Sequence, residues 1–240
     1  MFRPLLLILL LATSATAQGR PEVLVAVAAN FAGTLERLEP AFEAAHPYDL
    51  RIAVGSTGQA YAQIRAGAPY DAWLAADQDR PARLEAEGGI VEGSRFTYAT
   101  GRLVAWSARD DLPADLAHAL ADPSVRFIAI ANPDLAPYGA AAQAVLAALG
   151  VDPGGRLVQG QNVGQAHAMV ATGSADIGFV AAASVQGGQV WAIDPALYPP
   201  IRQDAVRLRD TPGAAAFIAF LRSDAARVVI AADGYEGADD

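Results

Sequence analysis

Short apolar runs alternating with helical patterns constrain this chain more than any other feature. The runs Val23–Ala29, Leu50–Val54, Ala72–Ala76, Leu103–Ser107, Phe127–Ala131, Ile177–Ala182 and Gln189–Ile193 carry few polar interruptions. Runs of that length and continuity read as strands buried on both faces. Separated by helices, they predict an α/β fold with mainly parallel sheets. Between the first two runs, Phe31, Leu35, Leu38 and Phe42 recur at helical spacing, and Pro40 in the same segment is expected to kink or divide the helix. Further helices are read at 57–65, stopped by Gly67, and at 81–87, stopped by Gly88 and Gly89. Another runs from Pro137 to Gly150, with proline at the start and glycine at the stop. Asn162 caps a helix that Gly173 ends, and Thr211-Pro212 and Ser223-Asp224 open two more. This many strands in 240 residues suit two lobes, each a sheet flanked by helices. Because only helices follow Thr211, the carboxy-terminal segment is free to return to the first lobe.

The amino terminus reads as an address. Arg3 is followed by a continuously apolar stretch from Leu5 to Ala12, and Ala15-Thr16-Ala17 ends it as an A-x-A site. These are the parts of a secretory signal peptide at 1–17, cleaved after Ala17. The apolar stretch is too short for a permanent anchor, and no later segment has the length and hydropathy of a membrane span. All 17 basic residues are arginine, and alanine is abundant, which points to a high-GC bacterium and therefore to the periplasm.

Composition then removes whole classes of chemistry. Without lysine there is no P-loop lysine and no Schiff base; without cysteine there are no disulfides, thiolate metal sites or thiol nucleophiles. A formal charge of −9 argues against nucleic acid as a partner, because nothing would neutralise phosphates cooperatively. His46, His118 and His167 lack metal-ligand spacing. His46 and His118 read as surface residues and His167 as part of a helix face. No G-x-S-x-G elbow is present, and the Asp77/Asp79 and Asp110/Asp111 pairs fall where helix capping explains them.

The positive signal lies in four turns that lead into helices: Ala28-Ala29-Asn30-Phe31, Gly55-Ser56-Thr57-Gly58, Pro137-Tyr138-Gly139 and Asn162-Val163-Gly164-Gln165. A helix amino terminus presents unpaired N–H groups and about half a positive charge, so each turn favours an anion. Any one of them is explained by ordinary capping. Four in one exported α/β chain point to a polar or anionic ligand.

The ordered motifs resemble one family. They are V-A-V-A-A-N-F at 25–31, G-S-T-G-Q-A-Y-A-Q-I-R-A-G-A-P-Y-D at 55–71, A-A-D at 75–77, N-P-D-L-A-P-Y-G at 132–139, Q-N-V-G-Q-A at 161–166 and A-D-I-G-F-V at 175–180. From Val23 to Tyr235 the chain is similar to the periplasmic molybdate-binding proteins that feed ABC importers, a branch of the two-lobed solute-binding proteins. That resemblance implies a type II periplasmic-binding-protein fold with the ligand in the cleft. The first lobe is expected at 18–100 plus 201–240 and the second at 101–200, with crossovers near Tyr98–Arg102 and Tyr198–Arg202. It also implies a monomeric, non-enzymatic receptor without a cofactor, which hands molybdate or tungstate to a membrane permease. Molybdenum would be present only as its oxyanion, with no direct protein ligands.

Carried over by position, the family's contacts fall on Asn30 as a side-chain donor, with Ala29 supplying backbone, and on the Thr57 hydroxyl, with Ser56 beside it. Tyr138 and Val163 match positions that offer backbone N–H groups. In one subgroup a tyrosine follows the strand that ends in Gly178-Phe179-Val180 and donates its hydroxyl; here Ala181 stands in that place. The alternatives are a receptor for sulfate, phosphate or another oxyanion, and an exported hydrolase using Ser56 or Thr57 as nucleophile. A sensor module signalling to a membrane partner through the same closure is a further one.

Overall fold

The computed structural model of the chain describes residues 19–237, so the expected signal peptide at 1–17 lies outside the described residues. The strands are β1 (Glu22–Ala28), β2 (Asp49–Gly55), β3 (Ala72–Leu74), β4 (Phe96–Gly101), β5 (Leu103–Ser107), β6 (Ile128–Ala131), β7 (Leu157–Gly160), β8 (Ile177–Ala181), β9 (Gln189–Ala192) and β10 (Ile201–Arg207). The helices are α1 (Ala32–Ala45), α2 (Thr57–Arg65), α3 (Asp79–Ala86), α4 (Leu116–Ala121), α5 (Pro137–Ala148), α6 (Val163–Ala171), α7 (Pro212–Leu221) and α8 (Asp224–Ala232).

Two five-stranded sheets result, ordered β2-β1-β3-β10-β4 and β7-β6-β8-β5-β9. Four strands of each sheet share a direction. The exceptions, β10 and β5, run antiparallel to both neighbours. Each sheet is the floor of one lobe of a type II two-lobed fold. The chain passes from the first sheet to the second between Gly101 and Leu103, and it returns between Ala192 and Ile201.

The sequence pattern has a direct structural cause in β1. Val23, Val25 and Val27 face a core shared with Phe31, Leu35, Leu38 and Phe42 of the α1 segment and with Phe217 of α7. Ala26 faces the other way, into a core with Trp73, Ala60 of α2 and Leu84 of α3. With helices on both faces, all four positions from Val25 to Ala28 are buried, and the run is apolar without alternation. The carboxy-terminal helices α7 and α8 pack on this first sheet, through Phe217, Leu221, Ala226 and Ile230.

Two expectations differ from the structure. Pro40 lies inside α1 and does not divide it: the helix runs from Ala32 to Ala45. Proline removes one donor, and it does so on the exposed face, where water satisfies the carbonyl it leaves free. Leu35, Leu38 and Phe42 hold both halves of the helix to the core. Second, β4, β7 and β10 are strands that the apolar pattern does not reveal. Their sequences, FTYATG, LVQG and IRQDAVR, mix polar residues into the run, and in β10 Gln203 and Asp204 are buried.

Candidate functional site

The carboxyl ends of β1 and β2 in the first lobe face those of β6 and β7 in the second. In open α/β sheets the ends of the strands, where neighbouring connections diverge, are where ligands bind. A small cavity lies there, lined by Ala29, Asn30, Ser56, Thr57, Tyr138 and Val163, together with Ala28, Gly55, Ala76, Ala136, Pro137 and Asn162. All six residues singled out from the sequence therefore meet at one place.

Local chemistry sets each wall. Ser56 follows β2 and caps α2 reciprocally: Gln59 N donates to Ser56 Oγ at 3.3 Å, and Ser56 N donates to Gln59 Oε1 at 3.2 Å. Thr57 follows at the first helical position, and its Oγ1 accepts Ala76 N at 2.9 Å. With the oxygen engaged as acceptor, the Thr57 hydroxyl proton remains to be donated. Pro137 at the start of α5 fixes the approach of Tyr138. Asn162 Oδ1 accepts Gln165 N at 3.0 Å and caps α6, leaving Val163 as its first residue.

The decisive feature is the set of donors left over. Among the described residues, the backbone N–H groups of Asn30, Thr57, Tyr138 and Val163 make no hydrogen bond within the chain. Each belongs to a turn or to the first turn of a helix, where intrahelical acceptors do not exist. None of the twelve lining residues is ionisable at neutral pH. The site is thus a neutral pocket of N–H and hydroxyl donors at three helix amino termini and one turn. Such an environment stabilises an anion through fixed dipoles, without a counter-charge that must itself be desolvated.

Two of the expected contacts take another form. The Ala29 N–H donates to Gly55 O at 2.9 Å, so Ala29 lines the cavity without a free donor. The Asn30 side chain turns its amide into the protein. Nδ2 donates to Gln203 Oε1 at 2.8 Å and to Tyr235 Oη at 3.2 Å, and Tyr235 Oη donates to Asn30 O at 2.6 Å. Both amide hydrogens are used, which leaves the backbone N–H as the Asn30 donor. Sequence reading missed Gln203 and Tyr235 because both reach Asn30 from far along the chain. Burial holds the Tyr98, Tyr138 and Tyr235 phenols above their ordinary range, so all three stay neutral.

The lobes touch beside the cavity. Gly58 N donates to Leu135 O at 2.8 Å across the cleft, and Arg80 reaches Asp134 O at 2.7 Å. A Cβ at Gly58 would stand 3.0 Å from Leu135 Cα, so glycine is what allows the two backbones to meet. A larger cavity of about 500 Å³ adjoins, walled in part by Asp77, Asp79 and Arg80. Asp77 accepts the Arg80 backbone N–H and pairs with its guanidinium, while Asp111 pairs with Arg109, so one member of each carboxylate pair is occupied in local structure. His167 stacks on Trp106 with ring centroids 4.6 Å apart, and His118 pairs with Asp115 on the surface. His46 is half-buried against Phe42. No histidine lines the cavity, so Ser56 and Thr57 have no base beside them there.

A sequence profile of the bacterial extracellular solute-binding proteins matches residues 23–236. The chain belongs to that family. The molybdate-binding protein ModA of Azotobacter vinelandii is 45% identical over 225 residues, spanning 89% of each chain. ModA of Rhodobacter capsulatus is 41% identical over 224 residues, spanning 89% of this chain and 88% of its own. The solved periplasmic molybdate-binding protein of Azotobacter vinelandii superimposes with a TM-score of 0.84 at 40% identity, covering 90% of this chain and all of that one. In this solute-binding protein, therefore, the four-turn cavity lies in the interlobe cleft of a receptor fold.

Proposed function

We propose that this protein captures molybdate or tungstate in the interlobe cavity and delivers it to an ABC importer. The observation that carries this reading is the convergence of four unpaired backbone N–H groups on a pocket lined by neutral residues. The ModA relatives support the choice of oxyanion. The N–H groups of Asn30 and Thr57, with the hydroxyls of Ser56 and Thr57, act from the first lobe; the N–H groups of Tyr138 and Val163 act from the second. The lobes comprise 18–100 with 201–240, and 101–200. The protein works as a monomeric receptor in the periplasm, exported by the segment 1–17 and cleaved after Ala17, and it acts by binding and release rather than by catalysis.

The magnitudes suffice. At about 1.5–3 kcal/mol per charge-assisted hydrogen bond, a handful of donors offsets the cost of closure and reaches micromolar affinity, about −8 kcal/mol. Sulfate carries the same charge on a smaller tetrahedron, so donors set for molybdate would be stretched beyond good hydrogen-bond distance. Two stretched donors at about 1–3 kcal/mol each give a preference of about a hundredfold or more. Calorimetric titration with molybdate, tungstate, sulfate and phosphate tests the reading. Molybdate and tungstate should bind alike, and sulfate should fail to displace them at comparable concentration. Sulfate binding as tightly as molybdate would reassign the protein to a general oxyanion receptor.

A further inference from the structure

The buried polar atoms around the cavity converge on one side chain that does not touch it. Gln203 of β10 is fully buried. Its Oε1 accepts Asn30 Nδ2 at 2.8 Å and Tyr98 Oη at 3.0 Å. Its Nε2 makes no hydrogen bond among the described residues, and neither does Tyr138 Oη. Those two atoms sit together over Gly101, the last residue of β4. A Cβ there would stand 2.5 Å from Gln203 Nε2 and 2.0 Å from Tyr138 Oη. Any side chain at 101 would thus expel one or both.

The placement matters because of what each partner does. Asn30 and Tyr138 present their N–H groups to the cavity from opposite lobes. Gln203 lies on the strand by which the chain returns to the first sheet, next to a register shift between Gln203 and Asp204. Asn30 and Gln203 belong to the same lobe and stay together when the lobes move. Tyr138 belongs to the other lobe and arrives against Gln203 only when the two meet. An apolar residue would fill this space without leaving an amide half-satisfied, so packing alone does not account for glutamine.

We propose that Gln203 is a positioning residue for anion binding: its Oε1 fixes the Asn30 turn, and its Nε2 receives the Tyr138 side chain of the second lobe. One side chain at the lobe junction thereby aligns the Asn30 and Tyr138 N–H groups on the same anion. This inference rests on the oxyanion-binding reading above.

The test is a double-mutant cycle on molybdate affinity, read by calorimetry beside thermal unfolding of the anion-free protein. It compares the unaltered chain, Gln203→Met, Tyr138→Phe and the double variant. Gln203→Met should weaken molybdate binding about ten- to thirtyfold. In the Tyr138→Phe background the same change should cost severalfold less, because the group received by Nε2 has gone. Should Gln203→Met fail to fold, Gln203→Asn keeps the amide but withdraws it by one methylene, and it carries the test with the same two outcomes. A folded variant that binds molybdate like the unaltered protein, or effects that simply add, would overturn the inference alone. Molybdate ignored by the unaltered protein would overturn the ligand reading and this inference with it.

Discussion

Replacing Gly101, which does not itself line the cavity, with alanine should weaken anion binding. The added Cβ would lie 2.0 Å from Tyr138 Oη, 3.0 Å from Tyr138 Cζ and 2.5 Å from Gln203 Nε2. Ordinary carbon contacts sit near ~3.5 Å, so the tyrosine must retreat by more than an ångström. A buried aromatic ring has little room for that, since rotating it disturbs the start of α5 and with it the Tyr138 N–H. Overpacking of this kind costs about 1–3 kcal/mol. The cost divides in a useful way. The clash with Gln203 arises within the first lobe and acts whether or not the lobes meet, so it should appear as a lower unfolding temperature. The clash with Tyr138 arises between lobes and penalises the closed arrangement alone. If about 1–2 kcal/mol falls there, Gly101→Ala binds molybdate about five- to thirtyfold more weakly. Tyr138→Phe in the same chain removes the 2.0 Å contact and leaves the 3.0 Å one, so the double variant should recover at least half of the lost affinity. Calorimetry on the two single variants and the double variant decides it. Unchanged affinity in Gly101→Ala, or a double variant no better than the single, would refute the claim that Tyr138 is seated against Gly101 in the binding conformation.

Other expectations concern the cavity and its surroundings. Thr57→Ala should weaken molybdate binding by about 1.5–3 kcal/mol, while Thr57→Ser, which keeps the hydroxyl, should stay within a few-fold of the unaltered protein in the same titration. Scattering profiles should show a smaller radius of gyration with molybdate than without; equal dimensions despite confirmed binding would count against closure. Affinity should be flat between about pH 6 and 9, because no lining residue titrates there. Stability is another matter. Burial raises the Tyr98, Tyr138 and Tyr235 phenols in the folded state, so the unfolded chain loses those protons first. Resistance to denaturant should accordingly fall as pH rises past the ordinary phenol value of about 10. Burial lowers His167, so its contribution should be lost in the opposite direction, as pH falls through about 6.5. Urea titrations across that range would show both limbs.

How far the structure was legible in advance depended on how local each determinant is. β1, β5, β6 and β8 are buried on both faces, so their burial is written as apolar runs. The caps on α2, α6, α7 and α8 were legible because Ser56, Asn162, Thr211 and Ser223 each act on a backbone N–H three residues away. For the same reason the turns of the proposed anion site could be located: the donors proposed there are backbone groups, and local turn chemistry decides where such groups lie free. Of the strands that escaped notice, β4 and β10 carry polar residues stabilised by distant partners, while β7 is only four residues long with Gln159 exposed. Asp204 in β10 is held by Arg95 at 2.8 Å, by Gln78 at 3.1 Å and by Thr97 at 2.7 Å, so a charged residue in a core position is satisfied rather than misplaced. No short window of sequence contains that compensation.

The Asn30 amide shows the same limit inside the site itself. Its turn was legible, but the direction of its side chain was not, because its acceptor Gln203 lies 173 residues away. An asparagine beside an anion site reads as a ligand donor until a buried acceptor competes for it. Here the acceptor is fixed by Tyr98, and Tyr235 closes the arrangement from beyond the last helix. With both amide hydrogens held in that network, the donor left to Asn30 is the N–H of its own turn. The proposed anion site is thus built from local backbone geometry, while the side chains that hold this geometry in place come from distant parts of the chain.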